Sequence, residues 1–182
     1  MLEDGRSLGR SLKVWRTLNG IKQSHAAEVL GVSQGTISRW ESGALLPDAD
    51  EADALRDLLG ARLDSAADFA LARLVEHSPA RVHLICDLSH RLFAASRPRT
   101  QSWGLSFAEL RGQSLWRYAT ADIVAAEARL GEAGWFDRRP PVVRLQTGAN
   151  RSNEVPIEPS LLAWTRFQLS DGSFARLAET LE

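Results

Sequence analysis

The chain has 182 residues, enough for one large domain or two small ones, and its 44% hydrophobic and 25% charged residues are those of an ordinary globular protein. A net charge of −1 argues against a protein that coats nucleic acid through charge alone. No apolar run approaches the roughly 18 residues needed to cross a bilayer, and Glu3, Asp4, Arg6, Arg10 and Lys13 interrupt any leader-like stretch. A cytoplasmic protein with no membrane partner is therefore expected. Cys86, the only cysteine, excludes an intrachain disulfide and a cysteine-based zinc site, and is expected in the core; no metal is expected.

Charge is unevenly distributed. Residues 1–46 carry a net +2, residues 47–76 a net −5 and residues 77–182 a net +2. The acidic middle separates two different modules. The expected organisation is a DNA-binding domain over 1–62, a helical linker over 63–80 and a sensory or dimerising domain over 81–182.

In chain order, Leu8, Leu12, Trp15 and Leu18 recur at three- and four-residue steps, which predicts an amphipathic first helix ending near Asn19-Gly20. A second helix over Gln23–Leu30 stops at Gly31, and a third over Gln34–Ser42 is capped by Ser33 and ended by Gly43. Pro47 and Asp48 start a fourth with Leu55, Leu58 and Leu59. Asp64 or Ser65 caps a fifth through Val75. The stripe Leu55, Leu59, Leu63, Ala66, Ala70, Leu74 suits either an interchain seam or packing within one subunit. Asp50, Glu51, Asp53, Asp57, Asp64 and Asp68 are expected on a solvated face.

After Ser78-Pro79 the pattern changes to strands over Val82–Cys86 and Arg91–Ala95, with a turn at Asp87–His90. A helical stretch over Phe107–Tyr118, broken at Gly112, and a helix over Asp122–Leu130 follow. Three late strands are predicted over Val142–Thr147, Leu161–Leu169 and Phe174–Ala178. The last pair is joined by the hairpin signal Ser170-Asp171-Gly172-Ser173. The fold class is α+β, with five helices followed by a mixed domain with an antiparallel sheet.

The run from Gly20 to Gly43, with Gln23, Ala27, Gly31, Val32, Ile37, Glu41 and Gly43 at the family spacing, resembles the helix-turn-helix of XRE and phage-repressor-like (lambda-repressor-like) regulators. Ala27 must be small where the second and third helices cross, and Val32 and Ile37 fill the space between them. The resemblance implies that the third helix enters the major groove of double-stranded DNA. Gln34, Thr36, Ser38 and Arg39 are then the base-reading candidates. Gln34 can pair bidentately with adenine, Arg39 with guanine, and Thr36 can meet a thymine methyl. Gly35 departs from the longer polar residue often found there and reads nothing through a side chain.

The same resemblance assigns Gln23 to a phosphate, with Lys22 and Ser42 as further phosphate candidates, and pairs Arg16 with Glu41 as a structural ion pair. Trp40 is expected in the core and His25 in solvent. One such module makes few contacts, so a homodimer on two half-sites is expected.

The element order over residues 81–182, with Ile85-Cys86-Asp87, Ala95-Ser96 and the run from Trp103 to Trp116, resembles a PAS-type sensor domain. That family binds haem, flavin or small metabolites, or uses its sheet to dimerise. Asp122–Leu130 has no histidine for haem iron and no flavin-adduct cysteine motif is present, so no cofactor is expected and no cofactor-binding residue is assigned. His77, His83 and His90 read as surface or turn residues, and Trp103, Trp116, Trp135 and Trp164 as core before pocket. No catalytic constellation or phosphate-binding glycine loop is present, so an enzyme is not expected. The expected function is a sequence-specific, dimeric transcription regulator, with repression as the expected sign. Its second half dimerises, senses a small molecule, or docks a regulatory protein partner.

Overall fold

A computed structural model describes residues 2–181; Met1 and Glu182, at the outer ends of the expected domains, lie outside the described residues. The chain divides into two compact units, one up to Gly60 and the other from Ala61.

The first unit is four helices: α1 (Leu2–Leu18), α2 (Gln23–Leu30), α3 (Gln34–Ser42) and α4 (Ala49–Leu59). Their ends follow local chemistry. Ser33 accepts from the Thr36 amide at the start of α3, and Asp48 forms a reciprocal capping box with Glu51 at the start of α4. Gly31 and Gly43 end α2 and α3 at φ of 67° and 73°, a conformation glycine adopts without steric cost. Leu8, Leu12, Ala26, Ala27, Ile37, Trp40, Leu55 and Leu59 are the buried core. Leu55 and Leu59 thus pack inside one subunit. The chain is non-helical between Leu59 and Ala66, so the leucine stripe is not a continuous seam.

The second unit opens with α5 (Ala66–Glu76), continues through β1 (Val82–Cys86) and β2 (Leu92–Ala95), and then crosses a helical excursion. That excursion holds α6 (Arg97–Thr100), α7 (Phe107–Leu110), a 3-10 turn (Leu115–Tyr118) and α8 (Ala121–Ala128). It returns as β3 (Val143–Thr147), β4 (Ser160–Gln168) and β5 (Phe174–Leu181). All pairings are antiparallel, in the order β2-β1-β5-β4-β3. This five-strand sheet, with its first two strands and last three separated by helices, is PAS-like.

Helix α5 covers one sheet face. Ala72 and Val75 pack with Val82, Leu84, Cys86, Ala94 and Ala175. Asp68 is buried rather than solvated, because its carboxylate caps α5 and accepts from the amide and hydroxyl of Ser170 in the β4–β5 hairpin. That contact ties α5 to the hairpin predicted at Ser170–Ser173, where Gly172 takes φ 84°. The other sheet face lies under the helical excursion. One part of it packs Ile85, Leu92, Leu110 and Tyr118; the other packs Ala126, Leu130, Trp135, Trp164 and Ala178.

Candidate nucleic-acid interface and sensor cavity

On the first unit, Gln34, Ser38, Arg39 and Ser42 are exposed along α3, while Ile37 and Trp40 face the core. Thr36 is half-buried with its hydroxyl 2.8 Å from that of Ser33, so it is committed to the helix start. A Cβ on Gly35 would meet only the Ser33 hydroxyl, at 3.7 Å, which leaves open space in front of the helix.

Behind this surface runs a polar chain. The Gln34 amide donates to Gln23 Oε1 (2.7 Å), and the Gln23 amide donates to Glu41 Oε2 (2.9 Å). Glu41 accepts both Arg16 Nε (2.7 Å) and Arg16 Nη2 (2.9 Å). Burial alone would raise the Glu41 carboxyl, but the bonds from Arg16 and Gln23 outweigh it and hold the group below its usual range. The same pairing raises Arg16. Arg16 also donates to the Ile21 carbonyl, bracing the α1–α2 turn. Gln23, Gln34, Arg16 and Glu41 are thus brought together. Lys22, Ser38 and Ser42 have no place in this chain. No side chain caps the start of α2, so its first amides are free.

In the second unit a buried charge cluster sits under the excursion. Asp87 accepts from Arg166 Nε (2.7 Å), from Arg176 Nε and Nη2 (3.0 and 2.8 Å) and from Trp135 Nε1 (3.1 Å). Arg176 also grips Glu127 at 2.5 Å, and His90 Nε2 lies 3.5 Å from Glu127. Burial would raise the Glu127 carboxyl; Arg176 and His90 overcome this and hold it well below the ordinary carboxylate range. Because the folded value is depressed, the resulting stability is complete above the ordinary carboxyl value of 4.5 and is lost as pH falls below it. Acid titration followed by near-ultraviolet circular dichroism should show the second unit loosening from about pH 4.5 downward. Glu127→Gln should flatten that dependence.

Beside the cluster is a cavity of about 1230 Å³. Its sheet wall is His83, Ile85, Leu162, Trp164, Arg176 and Ala178; Arg99, Trp103, Trp116, Tyr118 and Ile123 close it from the excursion. His83 and His90 are corrections to the sequence expectation, since both face inward. His83 alternates with Leu84 onto the excursion side of β1, where burial, with Arg99 and Arg176, pushes its imidazole well below the usual value. His90 is buried, turned inward by a left-handed backbone (φ 57°) and stacked on Trp116 with ring centres 4.6 Å apart. His77, by contrast, is exposed at the end of α5. Trp103, Trp116 and Trp164 line the cavity, whereas Trp135 is wholly buried in the charge cluster.

Sequence reasoning missed the cluster. One signal was present: Arg166 and Arg176 occupy the same alternation as Trp164 and Ala178, an arginine where an inward apolar residue is due.

Residues 7–69 match the helix-turn-helix domain family. None of the curated proteins matches the chain. Among solved structures, the PAS domain of an HTR-like protein from Haloarcula marismortui is similar at 18% identity and a TM-score of 0.44, over 63% of this chain and 90% of that one. A variant of the light-oxygen-voltage protein RsLOV is similar at 18% identity and 0.47, over 65% and 69%. The PAS-B domain of Drosophila melanogaster Cycle is similar at 17% and 0.43, over 56% and 97%. The chain therefore carries a helix-turn-helix domain at its N-terminus, followed by a domain whose sheet order is PAS-like. Among the described residues no helix is long and apolar enough to cross a membrane, and no group of three or more His, Cys, Asp or Glu could hold a metal ion.

Proposed function

We propose that the chain is an XRE-type, sequence-specific DNA-binding regulator, acting as a homodimeric repressor whose PAS-like half senses a small molecule. The observation that carries this reading is the chain Arg16–Glu41–Gln23–Gln34 behind an exposed α3. One amide hydrogen of Gln34 is spent on Gln23, which orients the other hydrogen and the carbonyl oxygen outward together. That is the donor and acceptor pair adenine presents in the major groove. Arg39 stands one turn further along, its Nε on the Gly35 carbonyl at 3.2 Å and its terminal nitrogens free for guanine. The uncapped start of α2 suits a phosphate beside Gln23, with Lys22 adjacent.

Selection of bound sequences from random DNA tests the reading. Gln34→Ala and Arg39→Ala are each expected to cost about 1–3 kcal/mol and to relax specificity at one base pair per half-site. Unchanged specificity in both folded variants rules the groove assignment out. Paired half-sites about one helical turn apart are expected for the dimer. Phe69 and Leu74, exposed on α5, offer apolar surface for the second copy.

A further inference from the structure

We propose that the cavity of the second unit binds an organic acid with an aromatic body, its carboxylate held by Arg99 and its ring held among Trp103, Trp116 and Tyr118. This rests on the reading of the PAS-like half as a sensor and names what it senses.

Charge bookkeeping within the unit singles out Arg99. Arg166 and Arg176 face Asp87 and Glu127, so that cluster closes on itself with two charges of each sign. Arg99, on α6, is set against the same sheet with no carboxylate within salt-bridge distance among the described residues. Its Nη2 donates to the Arg81 carbonyl (2.8 Å) and to Thr180 Oγ1 (2.7 Å), both uncharged acceptors. Its Nε is buried with no partner. A guanidinium removed from water without a counter-ion is costly, and burial together with Arg81 pushes it down to about 10. An anion delivered to that nitrogen removes the cost.

The neighbours of Arg99 exclude water-like anions in favour of an amphipathic one. His83 stands edge-on to Trp103 at 6.3 Å, is held neutral, and presents an unpartnered Nδ1 to the cavity. Trp116 is buried with its indole Nε1 unpartnered while its ring stacks on His90. Three orphaned polar atoms on one cavity, in otherwise apolar and aromatic walls, are what a site with few fixed polar contacts requires. The cavity's own acids do not neutralise Arg99: Glu158 is exposed at the rim, and Glu179 alternates away from Ala178 and Thr180 along β5.

The test uses the full chain with indole-3-acetate and its neutral counterpart indole-3-acetamide as probes, read by calorimetric titration and by the shift in melting temperature. The acid is expected to bind about tenfold or more tighter than the amide, since a charge-assisted bond replaces a neutral one. Arg99→Gln should bring the two within about twofold, while Arg99→Lys keeps a preference for the acid. Equal binding of acid and amide by the unaltered protein, or no binding of either at millimolar concentration, overturns the proposal even where Arg99→Gln fails to fold. Affinity for the selected DNA is measured alongside. DNA binding without acid binding sinks the ligand assignment and leaves the regulator; acid binding that leaves DNA affinity unchanged upholds the site and removes the sensing role.

Discussion

Asp87→Ala is expected to destabilise the second unit by about 3–5 kcal/mol, the cost of removing one partner from a buried ion cluster. Arg176 keeps Glu127 at 2.5 Å, so Arg166 bears most of the loss. It retains only a 3.5 Å contact to the Trp135 carbonyl and the face of Phe174, 3.6 Å from its guanidinium carbon. The Trp135 indole, wholly buried, loses its acceptor as well. Thermal melting should fall by roughly 10–20 °C for a unit of this size. Combining Asp87→Leu with Arg166→Met should recover much of the loss, because apolar groups of similar volume carry no desolvation penalty. A cost below about 1 kcal/mol for the alanine variant would mean that water reaches the cluster and that its burial is misjudged.

Gly9→Ala is expected to cost the first unit about 3 kcal/mol or more, although alanine is the better helix former by about 1 kcal/mol. A Cβ at position 9 would lie 2.1 Å from the Trp40 carbonyl oxygen and 2.7 Å from its carbon. These are backbone atoms of α3 and cannot rotate aside. Helix α1 must therefore move off α3, which opens the packing of Leu12 against Trp40 and Ile37 and strains the Arg16–Glu41 pair. Gly35→Ala supplies the contrast, since its Cβ meets open space. It should stabilise α3 by about 0.5–1 kcal/mol. Urea denaturation of both variants, read by helical circular dichroism, separates the two environments. Gly35→Ala also reports on DNA: a tenfold loss of affinity in this more stable variant would locate the duplex directly against position 35.

Much of the fold was legible because its signals are local. Ser33, Gly31 and Gly43 bound α2 and α3 at the predicted residues, and Ser65 caps α5, since each acts on amides or dihedrals within one helical turn. The strand runs and the Ser170–Ser173 hairpin follow from period-two alternation and turn chemistry in the same way. The four-residue α6 escaped notice because its pattern is too short to show a period, though Ser96 caps it and Pro98 stands in its first turn. Asp68 was read as solvated because nothing nearby in sequence announces Ser170, 102 residues away.

The helix-turn-helix with which the chain begins was determined by the sequence itself: its residue types, their spacing, and the exposed row Gln34, Ser38, Arg39 all follow from contacts a few residues apart. Tertiary structure alone decided how that row is held and what the second unit encloses. Gln34 is oriented through Gln23 and Glu41 by an arginine on another helix. Asp87 meets Arg166 and Arg176 across separations of 79 and 89 residues. His83 and Arg99 become cavity groups only when the excursion folds back over the sheet. The physical reason is common to all three. Caps and periodicity act through the backbone within a turn or a strand, whereas burial of a charge and the pairing that compensates it exist only once distant segments share one low-dielectric space.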